Sequence, residues 1–483
     1  MSLQAAPLVF GPQLKMKITP HGAAGGEVTG SAYILETAQA KVLVDCGLFQ
    51  GGKKADTLNR APDSDLCRQL QAVVVTHGHL DHTGRLPLLA RAGFTGSIYA
   101  TPATIEMTGL ILRDSAKIQA QDTERLNRKR QRAGEPPLEP LYNAEQVEHT
   151  LRLFQPVPYH EPVEVAPGVT ATFVEAGHML GSASIQLRVR ENGRDHKVVF
   201  SGDLGPRGAP ILKDYEPFED GEAVVLESTY GDHDHRPFGE TVEEFLEIVK
   251  TAVAEGGKIL VPTFAVGRAQ VLTLLLAWAF RERKIKPFPV FLDSPMAIEA
   301  WNIYRHHQEL WDEDMTRFAR EGSIAQDLTT LQTSITAEDS KKINDLEGPC
   351  LVMAGAGMCT GGRILHHFKQ HLWKPHTHVV IVGYQASGSL GRLLIEGVDE
   401  VKLFGEKVAV RAKVHTLGGF SAHAGQKDLL NWFAPLARRK PRLILTHGED
   451  VPRQTLAGLI LERHGIQALL PDLEQAIEIG SPA

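Results

Sequence analysis

Short apolar runs, each closed by a turn, mark the first 230 residues as a succession of strands. "AYILE" (32–36), "KVLVDCG" (41–47), "AVVVTHGH" (72–79) and "SIYAT" (97–101) come first; after a helical stretch follow "VTATFVEAGH" (169–178), "SIQLRVR" (184–190) and "KVVFSGD" (197–203). Several of these runs stop at a polar residue followed by glycine or histidine, which gathers functional groups where strands end. From about residue 240 the rhythm changes. "GKILVPTF", "FPVFLDSP", "PCLVMAGAG" and "HVVIVGYQ" are compact apolar runs separated by helical segments, the alternation predicted for a parallel sheet covered on both faces. After residue 405 the shorter strands return in "VAVRAKVHTL" and "PRLILTHGE", so the second unit reads as an insertion into the first. The expected organisation is therefore a first domain over residues 1–230, an inserted domain over 231–412, and a return to the first domain over 413–483. No internal repeat is visible, and "RAGEPPLEP" (132–140) is expected to be a mobile loop.

A chain of 483 residues is too long for one ordinary core and fits two domains. With 42% hydrophobic and 23% charged residues it reads as soluble and globular. The longest apolar helical run, "VLTLLLAWAF" (271–280), is too short to span a bilayer, and the N-terminus lacks the charged-then-apolar order of a signal peptide. A cytoplasmic protein without a membrane partner is expected. Cys46, Cys67, Cys350 and Cys359 are scattered without close pairs, which argues against a disulfide framework and a cysteine-based zinc site. The net charge of −7 predicts no general affinity for nucleic acid, so such a substrate needs a local patch. "ERLNRKRQR" (124–132), with Arg125, Arg128, Lys129, Arg130 and Arg132, is a candidate, although a solvated helical face is the simpler reading.

Candidate chemistry concentrates in "VVVTHGHLDHTG" (73–84), where His77, His79, Asp81 and His82 follow a run of valines. A solvated loop accounts for a lone histidine but gives no reason for four ligand-type residues at the mouth of a buried strand. In a tight loop after Thr76, His77 and His79 can face one metal while Asp81 and His82 turn toward another. Imidazole and carboxylate ligands without thiolate suit zinc, and open positions mark a catalytic site. His178, Asp203 and His447 stand at the same kind of strand terminus. Singly, each reads as a satisfied histidine or a turn-capping aspartate; seven together do not.

With "LVDCG" before it and "AGHMLGS" and "FSGDLG" after it, "HGHLDH" resembles the metallo-β-lactamase family, and "ESTYG" (227–231), "PTFAVGRAQ" (262–270), "GGFSAH" (418–423) and "THGE" (446–449) resemble its β-CASP branch of nucleases. The resemblance covers nearly the whole chain. It implies an α/β fold, a metallo-β-lactamase αββα sandwich with an inserted β-CASP domain whose parallel sheet is flanked by helices. It implies two zinc ions, one on His77, His79 and His178, a second on Asp81, His82 and His447, with Asp203 bridging. Asp45 would orient the "HGHLDH" loop from outside the ligand set. His423, held by Glu227, would protonate the leaving oxygen.

Glycine-rich loops in the inserted domain are candidates for binding substrate. "AGAGMCTGGR" (354–363) lies between a strand and a helix, so its amides could cradle a phosphate with Gly357, Gly362 and Arg363, although such turns also serve packing or dinucleotide binding. Arg268 and Tyr384, with Arg392, would sit at the same carboxyl edge of the sheet, and Ser421 belongs to the "FSAH" motif. Within the resemblance, a histidine at position 447 accompanies RNA-processing members, whereas DNA nucleases of the family tend to carry valine there. The expected function is a zinc-dependent ribonuclease acting in RNA processing or decay. The alternatives are a DNA nuclease of the same family, a non-catalytic scaffold, which the full ligand set disfavours, and a small-molecule hydrolase, which has no use for the insertion. The expected partner is single-stranded RNA, which can thread a cleft that excludes a duplex, with domain opening on entry; a homodimer is also admitted.

Overall fold

The computed structural model describes residues 16–51, 57–60, 63–191, 193–385 and 388–479. Two sheets face each other in the first domain. One runs, edge to edge, through Ile477–Glu478, Lys17–Gly22, Ala32–Glu36, Lys41–Val44, Ala72–Val74, Ser97–Ala100 and Phe154–Pro156; the other through Arg442–Thr446, Ala223–Glu227, Arg194–Phe200, Ala183–Glu191, Val169–Glu175 and Val163–Ala166. Tyr33, Leu35, Val42 and Val74 of the first sheet pack against Phe173, Ile185, Val198 and Val225 of the second. Helices cover both outer faces, with Cys67, Leu86 and Leu89 against Leu43, Val73 and Ile98 on one side, and Leu429, Trp432 and Phe433 against Val224, Leu226 and Leu443 on the other. The strand Ala223–Glu227 illustrates why its sequence is apolar without a break: Ala223 and Val225 enter the core between the sheets while Val224 and Leu226 enter the core beneath the helices. This is the expected αββα sandwich.

The inserted domain is built on a six-stranded sheet in the order Leu331–Thr333, Val290–Asp293, Cys350–Ala354, Lys258–Pro262, His378–Ile381 and Lys413–Thr416. Every pairing in it is parallel. Helices pack on both faces, as the compact apolar runs predict. One boundary differs from the sequence reading. Lys413–Thr416 pairs with His378–Ile381 as the edge strand of the inserted sheet, and Glu406–Ala409 closes a small hairpin with Glu400–Leu403, so the chain returns to the sandwich beyond Thr416 rather than at 413. The short-strand pattern was read correctly but its sheet could not be, because partner choice is set by long-range packing.

The two domains share a continuous apolar core. Met107, Ile111, Met179 and Leu180 of the sandwich pack with Val271, Leu274, Ile303 and Trp311 of the insertion. Rigid opening on substrate entry would expose these side chains to water, which disfavours the expected hinge motion. The "RAGEPPLEP" segment also differs from expectation: it is exposed but tied to the preceding helix, with Arg130 donating to Pro136 O at 2.7 Å and Leu138 N donating to Asn127 Oδ1 at 2.8 Å. That helix runs over Pro102–Arg132, and its basic end carries surface pairs such as Arg128 with Glu124, in keeping with a solvated face. Among the described residues no helix is long and apolar enough to cross a membrane.

Candidate metal centre

Parallel pairing brings strand ends to one edge of the sandwich. Lys41–Val44 runs beside Ala72–Val74, and Arg194–Phe200, Ala223–Glu227 and Arg442–Thr446 lie side by side in the same direction. The residues that follow these strands are Asp45, Thr76 with the "HGHLDH" loop, Asp203 and His447. A polar residue at such a terminus is free of the sheet ladder and can turn inward. Asp45 and His447 do so with left-handed backbones, φ 59° and 50°.

Two donor sets result. His77 Nε2 and His178 Nε2 lie 3.2 and 3.1 Å from His79 Nδ1, and Asp203 Oδ2 lies 3.6 and 3.7 Å from the first two. On the other side of Asp203, its Oδ1 is 3.3 Å from His82 Nε2 and 3.6 Å from His447 Nε2, and Asp81 Oδ2 is 3.7 Å from His447 Nε2. Four ligands around a zinc ion at ordinary bond lengths sit about 3.3 Å from one another, close to these spacings. Asp203 Oδ1 is buried, and among the described residues no well-aligned hydrogen bond satisfies it although His82 Nε2 lies 3.3 Å away, which suits a metal ligand. The donor chemistry and the geometry both fit a pair of divalent cations.

In four of the five imidazoles, all but His79, the ring nitrogen that faces away from the donor set has a partner that fixes the ring. His77 Nδ1 meets Thr76 Oγ1 at 3.1 Å, His82 Nδ1 meets Asp45 Oδ2 at 2.8 Å, His178 Nδ1 donates to Ala422 O at 3.0 Å, and His447 Nδ1 meets Thr229 Oγ1 at 3.1 Å. Asp45 is itself fixed, accepting from Thr76 N at 2.7 Å and from Thr76 Oγ1 at 2.8 Å. Thr76, Thr229 and the Ala422 carbonyl were not singled out in the sequence, where a threonine at a strand end and a backbone carbonyl carry no distinguishing signal.

Burial lowers the pKa of His77 and His178, and brings His79 to about 4, so these imidazoles are neutral with lone pairs available. His82 goes the other way. Burial would lower it, but the charges of Asp203 and Asp45 outweigh that and raise it. Burial would raise the pKa of Asp203, but its neighbours His447 and His82 outweigh that and lower it. The centre thus concentrates buried negative charge that calls for positive charge beside it.

His423 lies at the rim, 20% exposed, with Nδ1 3.4 Å from Glu227 Oε1 and Nε2 4.0 Å from Asp203 Oδ2. Glu227 is fixed by Leu204 N at 2.7 Å and Thr229 N at 3.3 Å. Burial opposes the charged form of His423, but Glu227 raises its pKa above the usual value. A neighbour the sequence reading missed is His235, whose Nε2 donates to His423 O at 2.8 Å and whose ring packs edge-on against Tyr230. Burial brings His235 to about 4, so it is neutral, with the Nε2 proton committed to that carbonyl. A histidine in "GDHDHRP" has no sequence signal separating it from its exposed neighbour His233.

The proposed substrate residues divide. Arg268 begins the helix Arg268–Arg281 and lines a pocket with His178, Ser421 and Tyr304, next to the donor sets; among the described residues no hydrogen bond or ion pair holds its guanidinium. Burial lowers its pKa to about 10. Ser421 Oγ accepts from His423 N at 3.3 Å. Tyr384 crosses from the inserted domain to hydrogen-bond Glu449, two residues beyond His447. The glycine-rich loop makes its described contacts inside the inserted domain. The Arg363 guanidinium donates to Asp293 Oδ1, Ser334 O and Ile335 O at 2.7, 2.9 and 2.7 Å, so its charge is used inside the inserted domain. A Cβ at Gly357 would lie 2.5 Å from the Phe264 ring, and one at Gly362 2.3 Å from Gly355 O, so both glycines are required for close packing. Arg392 pairs with Glu396 at 2.7 Å on the surface.

Residues 25–263 match the model of the metallo-beta-lactamase superfamily, 269–394 that of the Beta-Casp domain, and 407–471 that of a Zn-dependent metallo-hydrolase RNA specificity domain. The chain is 39% identical over 448 residues to ribonuclease TTHA0252 of Thermus thermophilus, covering 93% of this chain and 96% of that protein. It is 32% identical over 467 residues to the transcription termination factor FttA of Pyrococcus horikoshii, covering 92% of this chain and 68% of that one. A crystal structure of a protein of unknown function from Enterococcus faecalis V583 shares the fold, with a TM-score of 0.52 at 13% identity over 96% of this chain and 100% of that one.

Proposed function

The chain belongs to the metallo-beta-lactamase superfamily and to its Beta-Casp branch, the family of metal-dependent hydrolases, and from that premise we propose that it is a zinc-dependent ribonuclease cutting single-stranded RNA at the donor cluster around Asp203. The observation that carries this reading is the position of Asp203, with Oδ2 turned to His77, His79 and His178 and Oδ1 to Asp81, His82 and His447. One carboxylate serving two donor sets suits a two-metal hydrolase, and phosphodiester cleavage is among the reactions such a site supports. The chemistry that two zinc ions supply when bound is neutralisation of phosphate charge and activation of water.

The chain's own groups account for the rest. Asp45, Thr76, Thr229 and the Ala422 carbonyl hold the imidazoles so that their ligand nitrogens converge. His423, charged beside Glu227, delivers the Nε2 proton to the oxygen that leaves when the P–O bond breaks. Arg268, whose guanidinium has no hydrogen-bond or ion-pair partner among the described residues and which shares a pocket with His178 and Ser421, holds a phosphate of the strand. The inserted domain roofs this edge through Tyr384 and Arg268, which favours a thin single strand over a duplex. The likeness to a relative named a ribonuclease, and the match of residues 407–471 to an RNA specificity domain, support RNA over other phosphodiesters.

The test is incubation of the purified full chain with RNA labelled at either end, with products mapped from both ends. Internal products, or stepwise shortening from one end, are expected from wild type and not from Asp203→Ala. Intact RNA under conditions where a small phosphodiester is hydrolysed overturns the substrate assignment.

A further inference from the structure

The hairpin Glu400–Leu403/Glu406–Ala409 is closed by a residue that its turn disfavours. Phe404 has φ 51° and Gly405 φ 92°, the two left-handed conformations that tight hairpin turns use. Glycine and asparagine adopt them at little cost; a bulky aromatic does not. The ring gains no core in exchange, for Phe404 is 50% exposed. Its described ring contact is His366, with centroids 4.6 Å apart and planes at 23°. An exposed aromatic held in a disfavoured backbone points to binding rather than to folding.

The surface charge around the pair is mixed, with Glu400 and Glu406 in the hairpin itself and cations contributed by three helices. His366 stands in the first turn of the helix Ile364–His371, which begins at the sheet edge from which Tyr384 reaches Glu449. Lys341 of helix Ala337–Asp345, Lys369 of the His366 helix, and Arg125 of the long helix Pro102–Arg132 all act electrostatically on His366. Lys369 pairs with Glu406 at 2.7 Å and Arg125 with Asp122 at 3.3 Å, both on the surface, and among the described residues Lys341 has no ion pair. Exposed pairs of this kind contribute little and exchange readily for a phosphate. In a chain of net charge −7, an exposed aromatic pair with Lys369 tied to its hairpin and with Lys341 and Arg125 acting on His366 is the kind of local feature a nucleic-acid strand uses.

We propose that Phe404 stacked on His366, with Lys341, Lys369 and Arg125 around it, is a docking platform for a single-stranded stretch of the RNA substrate outside the catalytic cleft. The proposal rests on the ribonuclease reading above. A base stacks on the outer face of the Phe404 ring while the phosphates on either side meet the cations, and the strand runs on toward the edge that carries Tyr384 and Arg268. Such a platform distinguishes long RNAs, which reach both places, from short ones, which reach only the cleft.

The test uses the full zinc-loaded chain with His423→Ala as a non-cleaving background and fluorescence anisotropy at fixed salt. The probes are labelled, unstructured RNAs of about 25 and about 6 nucleotides, lengths that do and do not exceed one single-strand site. Phe404→Ala is expected to weaken binding of the long RNA by about 5- to 100-fold and to leave the short RNA unchanged, with Phe404→Trp restoring the affinity. Phe404→Gly suits the turn and is expected to fold at least as well while losing the same affinity, which separates binding from stability. Lys341→Glu is expected to weaken the long RNA and to flatten its salt dependence. Equal effects on both lengths, or none on either, overturn the platform. So does a change of oligomeric state in Phe404→Ala with RNA affinity intact, which would make the ring a protein contact. Wild-type protein that leaves RNA uncut overturns the ribonuclease reading itself; wild-type protein that cuts RNA while Phe404→Ala binds as its parent does overturns only the platform.

Discussion

Asp45 Oδ2 lies 2.8 Å from His82 Nδ1, and through that contact a residue outside both donor sets decides where His82 Nε2 points. Asp45 has no competing role at the surface, being 1% exposed with its other contacts on Thr76. Asp45→Ala is therefore expected to weaken the Asp81, His82 and His447 set by about 10- to 100-fold in zinc affinity while the His77, His79 and His178 set keeps its metal. Competition titration with a chelating dye reads the two affinities. Equal loss at both sets would show that Asp45 supports the loop as a whole.

His423 groups with Asp203 and Glu227 as a third set of ligand-type side chains, and its pairing with Glu227 assigns it to proton transfer rather than to zinc in the reading proposed above. Its Nδ1 faces Glu227, and its backbone carbonyl is held by His235. His423→Ala is expected to retain zinc and RNA binding while turnover falls by about 10²–10⁴-fold, the scale of general acid catalysis. His235→Ala should lower turnover less and leave KM unchanged, because only the position of the acid is disturbed. Loss of zinc from His423→Ala would move that residue into the ligand set.

Trp311 ties the inserted domain to the sandwich. It packs in the shared core, donates Nε1–H to Tyr304 O at 3.1 Å and makes a backbone bridge with Leu212. Trp311→Ala is expected to cost about 3–5 kcal/mol, read as a shift of one cooperative denaturant transition that takes both domains together. Two separate transitions in wild-type protein would show that the domains are not one folding unit.

How much of this was legible in sequence follows from what each residue answers to. His77, His79, Asp81, His82, His178, Asp203 and His447 were readable because ligand-type residues at the mouths of apolar strands have no packing reason to be there. The parallel sheet of the insertion was readable because burial on both faces leaves unbroken apolar runs. Gly357 and Gly362 are needed for close packing and Arg363 is bonded inside the insertion, which the sequence could not show, since a glycine-rich turn after a strand looks alike whether or not its Cα atoms pack against Phe264 and Gly355. Thr229 and His235 were missed because their roles depend on partners far away in sequence, Thr229 on His447 and His235 on His423, and Thr76, which stands beside His77, because a threonine at a strand end carries no distinguishing signal. The return of the chain beyond Thr416 was missed for the same reason, the edge strand being defined by pairing with His378–Ile381.

The roof over the centre makes a prediction about substrate shape. Tyr384 reaches across to Glu449, and Arg268 lies beside His178, so the approach to Asp203 passes between two domains joined by an apolar core. One RNA sequence, compared free and annealed to its complement at fixed salt, is expected to be cut faster as a single strand. Equal rates would mean that the insertion leaves the centre open to a duplex.

The central claim is that Asp203 joins two zinc sites and that both are needed to cut RNA. The direct measurement strips the protein with a chelator, returns zinc in stoichiometric steps, and follows bound zinc per chain and cleavage of a labelled single-stranded RNA in the same samples. Two zinc ions per chain are expected at saturation, with cleavage rising as the second is bound. Full cleavage at one zinc per chain, or undiminished cleavage by stripped protein, would contradict the account.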